Sequence, residues 1–455
     1  MTSSRSFGFL SRIVSVMTVV AAVAPVGASA AAASSGAPAA SPAASSVASP
    51  ASASVAAPRL PPVRLAVIEA MSGPFANTGD AIMRNLRFAV DRINARGGVA
   101  LPDGRHPLEL VSFDSKNQVD EALLLLRAAS DQGMTIILQG NSSAVAAGLL
   151  EGINRHNQRN PAKRMVFLNY SAVDPALTNE KCSPWHFRFD ANSDMRMAAL
   201  TEVMKRDHSV RNVYLINQDY SFGQQVAQAA RSALASKRPD VQIVADEFHA
   251  IGKVKDFAPY AAKIVASGAD TVITGNWGND LTLLIKAARE AGVNANFYTF
   301  YANALGAPAA IGDAGVGKVR AVAEWHYNAG EPGMDAAYAA YRKQFPRPAD
   351  DYLNARMLHM VDMLAAALEK GGSTDAVTIA RQLSGMRWTQ EGADLWMRPA
   401  DHQAIKPLYV FTMQKQGVGT ARLDVEGSGY GFETALKVSA QDLTLPTRCV
   451  MPTLP

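Results

Sequence analysis

Between an apolar run and a helical pattern the chain reads Gln139-Gly140-Asn141-Ser142-Ser143. A strand end that turns into a helix start offers hydroxyls and free N–H groups to an anion without needing a lysine. Ser142 or Ser143 is the candidate contact, with Ser171 at the next strand end; both serines also read as plain helix N-caps. Trp277 stands in Gly275-Asn276-Trp277-Gly278-Asn279, a polar loop with little local reason to hold an indole unless it packs on something, a bound molecule or its own lobe. Tyr220 and Phe222 lie just past another strand, and Phe222 also fits the inner face of the helix that follows. With Tyr170 and Tyr301, Tyr220 and Trp277 form an aromatic set. Hydroxyls and rings at successive strand ends suit holding a small flat or branched carboxylate.

Catalytic patterns are missing. No nucleophile elbow or carboxylate pair stands out, and the eight histidines show no metal-ligand spacing. Gly312-Asp313-Ala314-Gly315-Val316-Gly317-Lys318-Val319 nearly spells a phosphate loop but lacks the Ser or Thr that would hold magnesium. The expectation is a binding protein, not an enzyme, with no cofactor and no metal.

The elements that must position these residues follow a regular grammar. Leu65–Ile68 reads as a buried strand, Ser72–Gly79 as a turn, and Ile82, Leu86, Ala89 and Ile93 as the inner face of a helix ending at Gly97-Gly98. Strands and helices alternate onward, breaking near Cys182 and again in the Gly/Ala-rich stretch after Tyr301. Such alternation predicts βαβ units and parallel sheets, which hold ligands at the carboxyl ends of their strands. The 455 residues suit about two domains.

At the N-terminus Arg5 and Arg12 precede the apolar run Ile13–Ala24, and Ala28-Ser29-Ala30 has the form of a cleavage site, so residues 1–30 are expected to be a signal peptide. Residues 31–61 are nearly all Ala, Ser and Pro and are expected to be a disordered linker. The net charge of +4 falls to +2 once Arg5 and Arg12 are removed, too weak to point to nucleic acid. No later segment is apolar enough to insert in a membrane. Two cysteines in an exported chain suggest one bridge, Cys182–Cys449, against the alternative of two free thiols.

Met71-Ser72-Gly73-Pro74, Ala89-Val90-Asp91-Arg92-Ile93-Asn94 before Gly97-Gly98, Asp219-Tyr220-Ser221-Phe222-Gly223, Gly268-Ala269-Asp270, Ala288-Arg289-Glu290-Ala291-Gly292 and Asp401-His402-Gln403 occur in an order and spacing that resembles the leucine/isoleucine/valine-type periplasmic binding proteins of ABC transporters. The resemblance covers roughly residues 63–451. It implies the type I fold: two doubly wound parallel-sheet α/β lobes joined by three hinge crossings. Residues 62–186 and 302–395 would form lobe 1, and 187–301 and 396–455 lobe 2 with a C-terminal tail. It further implies that a serine at 142 or 143 meets a ligand carboxylate, that an aromatic at 220–222 covers the ligand, and that Asn77 and Thr78 make a first-loop contact. Amino-acid binders of this family place a carboxylate on the loop that here reads Tyr301-Ala302-Asn303-Ala304-Leu305-Gly306 and holds no acid. Glu324 or Asp219 would have to substitute, and Glu324 reads equally as a solvated or ion-paired strand residue. The function so implied is periplasmic capture of an amino acid or an aromatic or aliphatic carboxylate for a membrane permease. The alternative is a ligand-sensing subunit of a signalling system on the same fold.

Overall fold

The computed structural model describes residues 60–303 and 305–455. The expected signal peptide and all of the expected linker but Leu60 and Pro61 lie outside the described residues. Pro61 is already tied down, its carbonyl 2.8 Å from His106 Nδ1.

The first lobe is built on β1 (Val63–Glu69), β4 (Leu108–Asp114), β5 (Ile136–Gln139), β6 (Val166–Asn169) and β7 (His186–Arg188). They pair in parallel in the order β4-β1-β5-β6-β7, and a hairpin of β2 (Val99–Leu101) and β3 (Gly104–His106) stands apart. The helices α1 (Ala76–Ala95), α2 (Val119–Asp131) and α3 (Ser143–Arg159) follow their strands as the βαβ grammar requires. β1 is buried along nearly its whole length, because helices cover both faces of a parallel sheet.

The second lobe holds α4 (Ser193–Met204), β8 (Asn212–Gln218), α5 (Ser221–Lys237), β9 (Gln242–His249), α6 (Ala258–Ala266), β10 (Thr271–Thr274), α7 (Asn279–Glu290), β11 (Asn296–Thr299), α8 (Ala307–Ile311) and β12 (Val319–Ala323). The chain then returns to the first lobe through α9 (Pro332–Gln344), α10 (Ala355–Gly371) and α11 (Ala376–Leu383), and forms a small sheet of β13 (Arg387–Trp388), β14 (Leu395–Met397) and β15 (Ala404–Ile405). Two antiparallel strands, β16 (Leu408–Lys415) and β17 (Tyr430–Val438), complete the second sheet in the order β17-β16-β12-β11-β10-β8-β9.

Four expectations need correcting. The division at 186/187 falls inside β7, whose Phe187 and Arg188 pair with Leu168 and Asn169 in the first sheet. The division at 301/302 is too early, because β12 pairs with β11 and β16 inside the second sheet; the chain leaves that lobe only after Ala323. The division at 395/396 is too early as well, since Met397 and Ala404 lie in the first lobe's core and the second lobe resumes with β16. The Gly/Ala-rich stretch is a short helix and turn within one lobe, which composition alone does not separate from a hinge. The turn expected over Ser72–Gly79 is also shorter: a 3-10 turn over Gly73–Phe75 runs straight into α1, which starts at Ala76. Gly79 allows this, since a Cβ there would lie 2.1 Å from the Ala70 carbonyl oxygen.

α10 is buried on every side, with each residue from Ala355 to Ala365 buried. Its polar residues Arg356, His359 and Asp362 therefore sit inside the protein. Cys182, between β6 and β7, is disulfide-bonded to Cys449 beyond β17, with Cα atoms 5.7 Å apart.

Candidate functional site

The carboxyl ends of the two sheets face each other across a cavity with about 690 Å³ of empty volume, counting the part open to solvent. Thr78, Asn141, Ser143, Ser171 and Arg356 line it from the first lobe; Tyr220, Phe222, Trp277 and Tyr301 line it from the second. That is the size and the mix of rings and a few polar groups expected of a small-molecule site.

The first-lobe wall is held by a buried carboxylate. Glu69, at the end of β1, accepts hydrogen bonds from the Gly140 and Asn141 N–H groups, both at 2.7 Å, and from the Tyr170 hydroxyl at 2.6 Å. Burial raises its pKa, and these donors oppose the rise. The β5–α3 turn is thereby locked, and its first two amides are already spent on an anion of the protein's own. Gly140 is required here, since a Cβ would lie 2.6 Å from Ser171 N. Ser143 Oγ accepts from Asp174 N at 3.2 Å. Two buried polar atoms of lining residues, Thr78 Oγ1 and Asn141 Nδ2, have no protein partner. Buried donors left unpaired are costly, so they mark where a bound molecule would supply acceptors.

The second-lobe wall is aromatic. Trp277 Nε1 donates to the Tyr220 hydroxyl at 2.8 Å. The indole stacks on Phe75 with centroids 4.3 Å apart. Phe75 belongs to the first lobe by chain position but is buried in the second lobe's apolar cluster. Beside it Asn77 Nδ2 donates to Asn279 Oδ1 at 3.1 Å, and Asn279 Nδ2 to the Pro74 carbonyl at 3.1 Å. The lobes are thus in contact over the cavity's mouth.

At the back lies a buried ionic cluster. Asp190 receives Arg196 Nη2 at 2.7 and 2.8 Å and Arg356 Nε at 3.2 Å. Glu324 receives the Arg356 Nη1 at 3.2 Å and the Arg356 backbone N–H at 3.0 Å. Ser171 Oγ accepts from Arg356 Nε at 3.1 Å. Burial works against the charge of Glu324, but Lys406, Arg356 and Arg196 together hold its pKa below the usual carboxylate range. Burial likewise opposes the Arg356 charge, and Asp190 and Glu324 outweigh it, so the guanidinium stays charged. Such pairs persist in a dry interior only when their partners and hydrogen bonds are nearly complete.

Of the residues singled out in the sequence, Thr78, Ser143, Ser171, Tyr220, Phe222, Trp277 and Tyr301 line the cavity. The others do not. Ser142 caps α3, its Oγ 3.4 Å from Val145 N, so for this serine the capping reading holds. Tyr170 is turned onto Glu69. Asn276 is buried with Nδ2 2.7 Å from His249 Nε2. Asn77 spans the mouth instead of lining the cavity, and Asn303 lines a neighbouring smaller cavity. Glu324 is ion-paired behind Arg356. Sequence reasoning missed Arg356, Asn141 and Tyr352. The available signal was an arginine opening a long apolar helix, and it weighs little unless that helix is known to be buried on all sides.

Two α/β lobes that meet over a cavity lined from both define a protein that closes around a small solute. The chain belongs to the periplasmic binding protein family, whose sequence profile matches residues 62–418. It is 33% identical over 385 residues to the Leu/Ile/Val-binding protein homolog 4 of Brucella abortus (strain 2308), covering 82% of this chain and 88% of that one. The crystal structure of a leucine-, isoleucine-, valine-, threonine- and alanine-binding protein from Brucella ovis, in its closed conformation, superposes with a TM-score of 0.76 at 30% identity, over 86% of this chain and 99% of that one. A solute-binding protein of an ABC transporter from Rhodopseudomonas palustris BisB5, solved with 3,4-dihydroxybenzoic acid, shares the fold at a TM-score of 0.69 and 16% identity, over 83% of this chain and 97% of that one. These relatives are named as binding proteins.

Proposed function

We propose that this chain captures a small organic carboxylate or amino acid in the periplasm, without chemical turnover, and delivers it to the permease of an ABC transporter. The observation that carries the reading is the cavity walled by both lobes, with unpartnered Thr78 Oγ1 and Asn141 Nδ2 on one side and Tyr220, Trp277 and Tyr301 on the other. Thr78, Ser143 and Ser171 supply hydroxyls, and the rings cover the solute. A ligand touching both walls binds the closed form better than the open one, and that difference drives closure. The closed outline is then what a permease would read. Among the described residues no helix is long and apolar enough to cross a membrane.

A thermal-shift screen of amino acids, aromatic acids and aliphatic acids, followed by calorimetry of the hits, tests the proposal. A ligand at a hundred times its Kd stabilises by about 2.7 kcal/mol, readily seen as a rise in Tm. Hits that Trp277→Ala or Ser143→Ala does not weaken would place binding elsewhere and refute the proposed site.

A further inference from the structure

We infer that the cavity is built for a singly charged organic carboxylate without an ammonium group, and that Arg356 sets this preference. The inference rests on the solute-capturing reading above and narrows its ligand.

The first observation is the sign of what the cavity offers. Its unpartnered buried atoms, Thr78 Oγ1 and Asn141 Nδ2, can both donate, and Arg356 lines the same space. Asn141 Nδ2 can only donate, and a carboxylate oxygen would satisfy it together with the Thr78 hydroxyl.

The second is what the cavity withholds. Among the described lining residues there is no Asp or Glu. The carboxylates in the elements around it are all engaged. Asp190 holds Arg196 and Arg356, and Glu324 holds Arg356. Asp174 accepts from Ala176 N, and Asp280 from Gln218 Nε2 and Gly252 N. Glu426 accepts from Gly306 N, on the very loop where an acid would have faced an ammonium. A buried cation needs a partner anion or it is expelled; Asp219 is exposed and outside the lining, and Asp351, also outside it, spends Oδ2 on Arg342 and Tyr338.

The third is the charge count behind the wall. Arg196, Arg356 and Lys406 face Asp190 and Glu324, three cations against two anions, all buried. One bound carboxylate completes the set, and a zwitterion adds nothing to it. Burial lowers the Lys406 pKa against the pull of Glu324 and Asp190, as expected of a cation short of counter-charge. The remaining walls carry the rings of Tyr220, Trp277, Tyr301 and Tyr352 beside aliphatic Ile82, Leu281 and Met357, which suit an apolar body, ringed or branched.

Calorimetry on ligand pairs differing in one group tests this on the unaltered protein: 4-methylpentanoate against leucine, 3-phenylpropanoate against phenylalanine, and benzoate against benzamide. Each acid should bind at least tenfold tighter than its partner. An amino acid that binds as tightly as its deaminated counterpart, or no binding by any of these acids, overturns the inference and leaves the solute-capturing reading standing; an empty screen overturns both. The role of Arg356 is read from Glu324→Gln alone and with Arg356→Gln, which keeps the cluster's charge balance. The single variant removes one anion from the set facing the ligand, so it should hold the acids at least as tightly as wild type, and a loss there would refute the charge count. The pair should lose at least tenfold for benzoate while benzamide stays within threefold. Equal loss of both ligands, or undiminished benzoate binding, would refute Arg356 as the anchor. If the double variant does not fold, Arg356→Lys takes its place: the charge stays but the guanidinium fork is lost, so benzoate should weaken more than benzamide, and equal change in both would refute Arg356 as the anchor.

Discussion

Replacing Phe75 with alanine should weaken ligand binding strongly while leaving the ligand-free protein nearly as stable as before. Phe75 sits on the first-lobe loop but is only 4% exposed, buried in the second lobe's cluster and stacked on Trp277. Its ring also meets Gly252 and Gly278, where an added Cβ would come within 3.0 and 3.2 Å of it. Those contacts cross from one lobe to the other, so opening the mouth would break them. Burying a phenylalanine is worth about 1.5–3 kcal/mol, and an aromatic pair adds about 0.5–1.5. Allowing for partial exposure in either state, closure should lose about 2–3 kcal/mol, which is roughly 30- to 150-fold in Kd. Calorimetry with the tightest acid from the screen measures this, and small-angle scattering of the liganded variant should show a more open average. In the open, ligand-free form the ring has no such partners, so denaturant unfolding without ligand should move by less than about 1 kcal/mol. A Kd within threefold of wild type, or a large loss of ligand-free stability with the Kd intact, would show that Phe75 is an ordinary core residue.

Other outcomes follow from the same geometry. Ser142→Ala should cost about 1 kcal/mol of stability as a lost helix cap and leave affinity unchanged, while Ser143→Ala should weaken binding; the reverse pattern would undo the assignment of the two serines. Cys182→Ser should lower stability by about 3–5 kcal/mol, because the bridge closes a 267-residue separation, with ligand affinity retained by the protein that remains folded. Asp362, buried on α10 between Arg92 and Arg96 at 3.6 Å each, has its pKa raised to about 6 because desolvation outweighs the arginines. A raised folded-state pKa gives stability that is full below the unfolded value and is lost as pH rises through 6. Relative to Asp362→Asn, the wild type should therefore lose about 2 kcal/mol between pH 4 and 7, and parallel stability curves would refute this.

The α/β plan was legible because it depends on local pattern. Apolar runs such as Leu65–Ile68, a helix face such as Ile82-Leu86-Ala89-Ile93 and glycine stops mark βαβ units without any long-range information. For the same reason Ser143, Ser171, Tyr220 and Trp277 could be found: strand ends point to the site in this architecture. Arg356 could not. Helical periodicity presumes one wet face, and α10 has none along its first three turns, so the charge that solvent would have taken is turned inward. Tyr170 misled because its partner, Glu69, lies 101 residues away. The hinge after Ala323 was hidden too, since β12 joins its lobe by pairing with a strand almost ninety residues later, between Ala323 and Tyr409.

The tail behind the last strand has a mechanical consequence. β17 ends at Val438 in one jaw, and Cys449 is bonded to Cys182 in the other. The few residues between are a leash, and its slack sets the widest gape the jaws can reach. Cutting it should leave the grip of the shut molecule alone and lengthen only the swing.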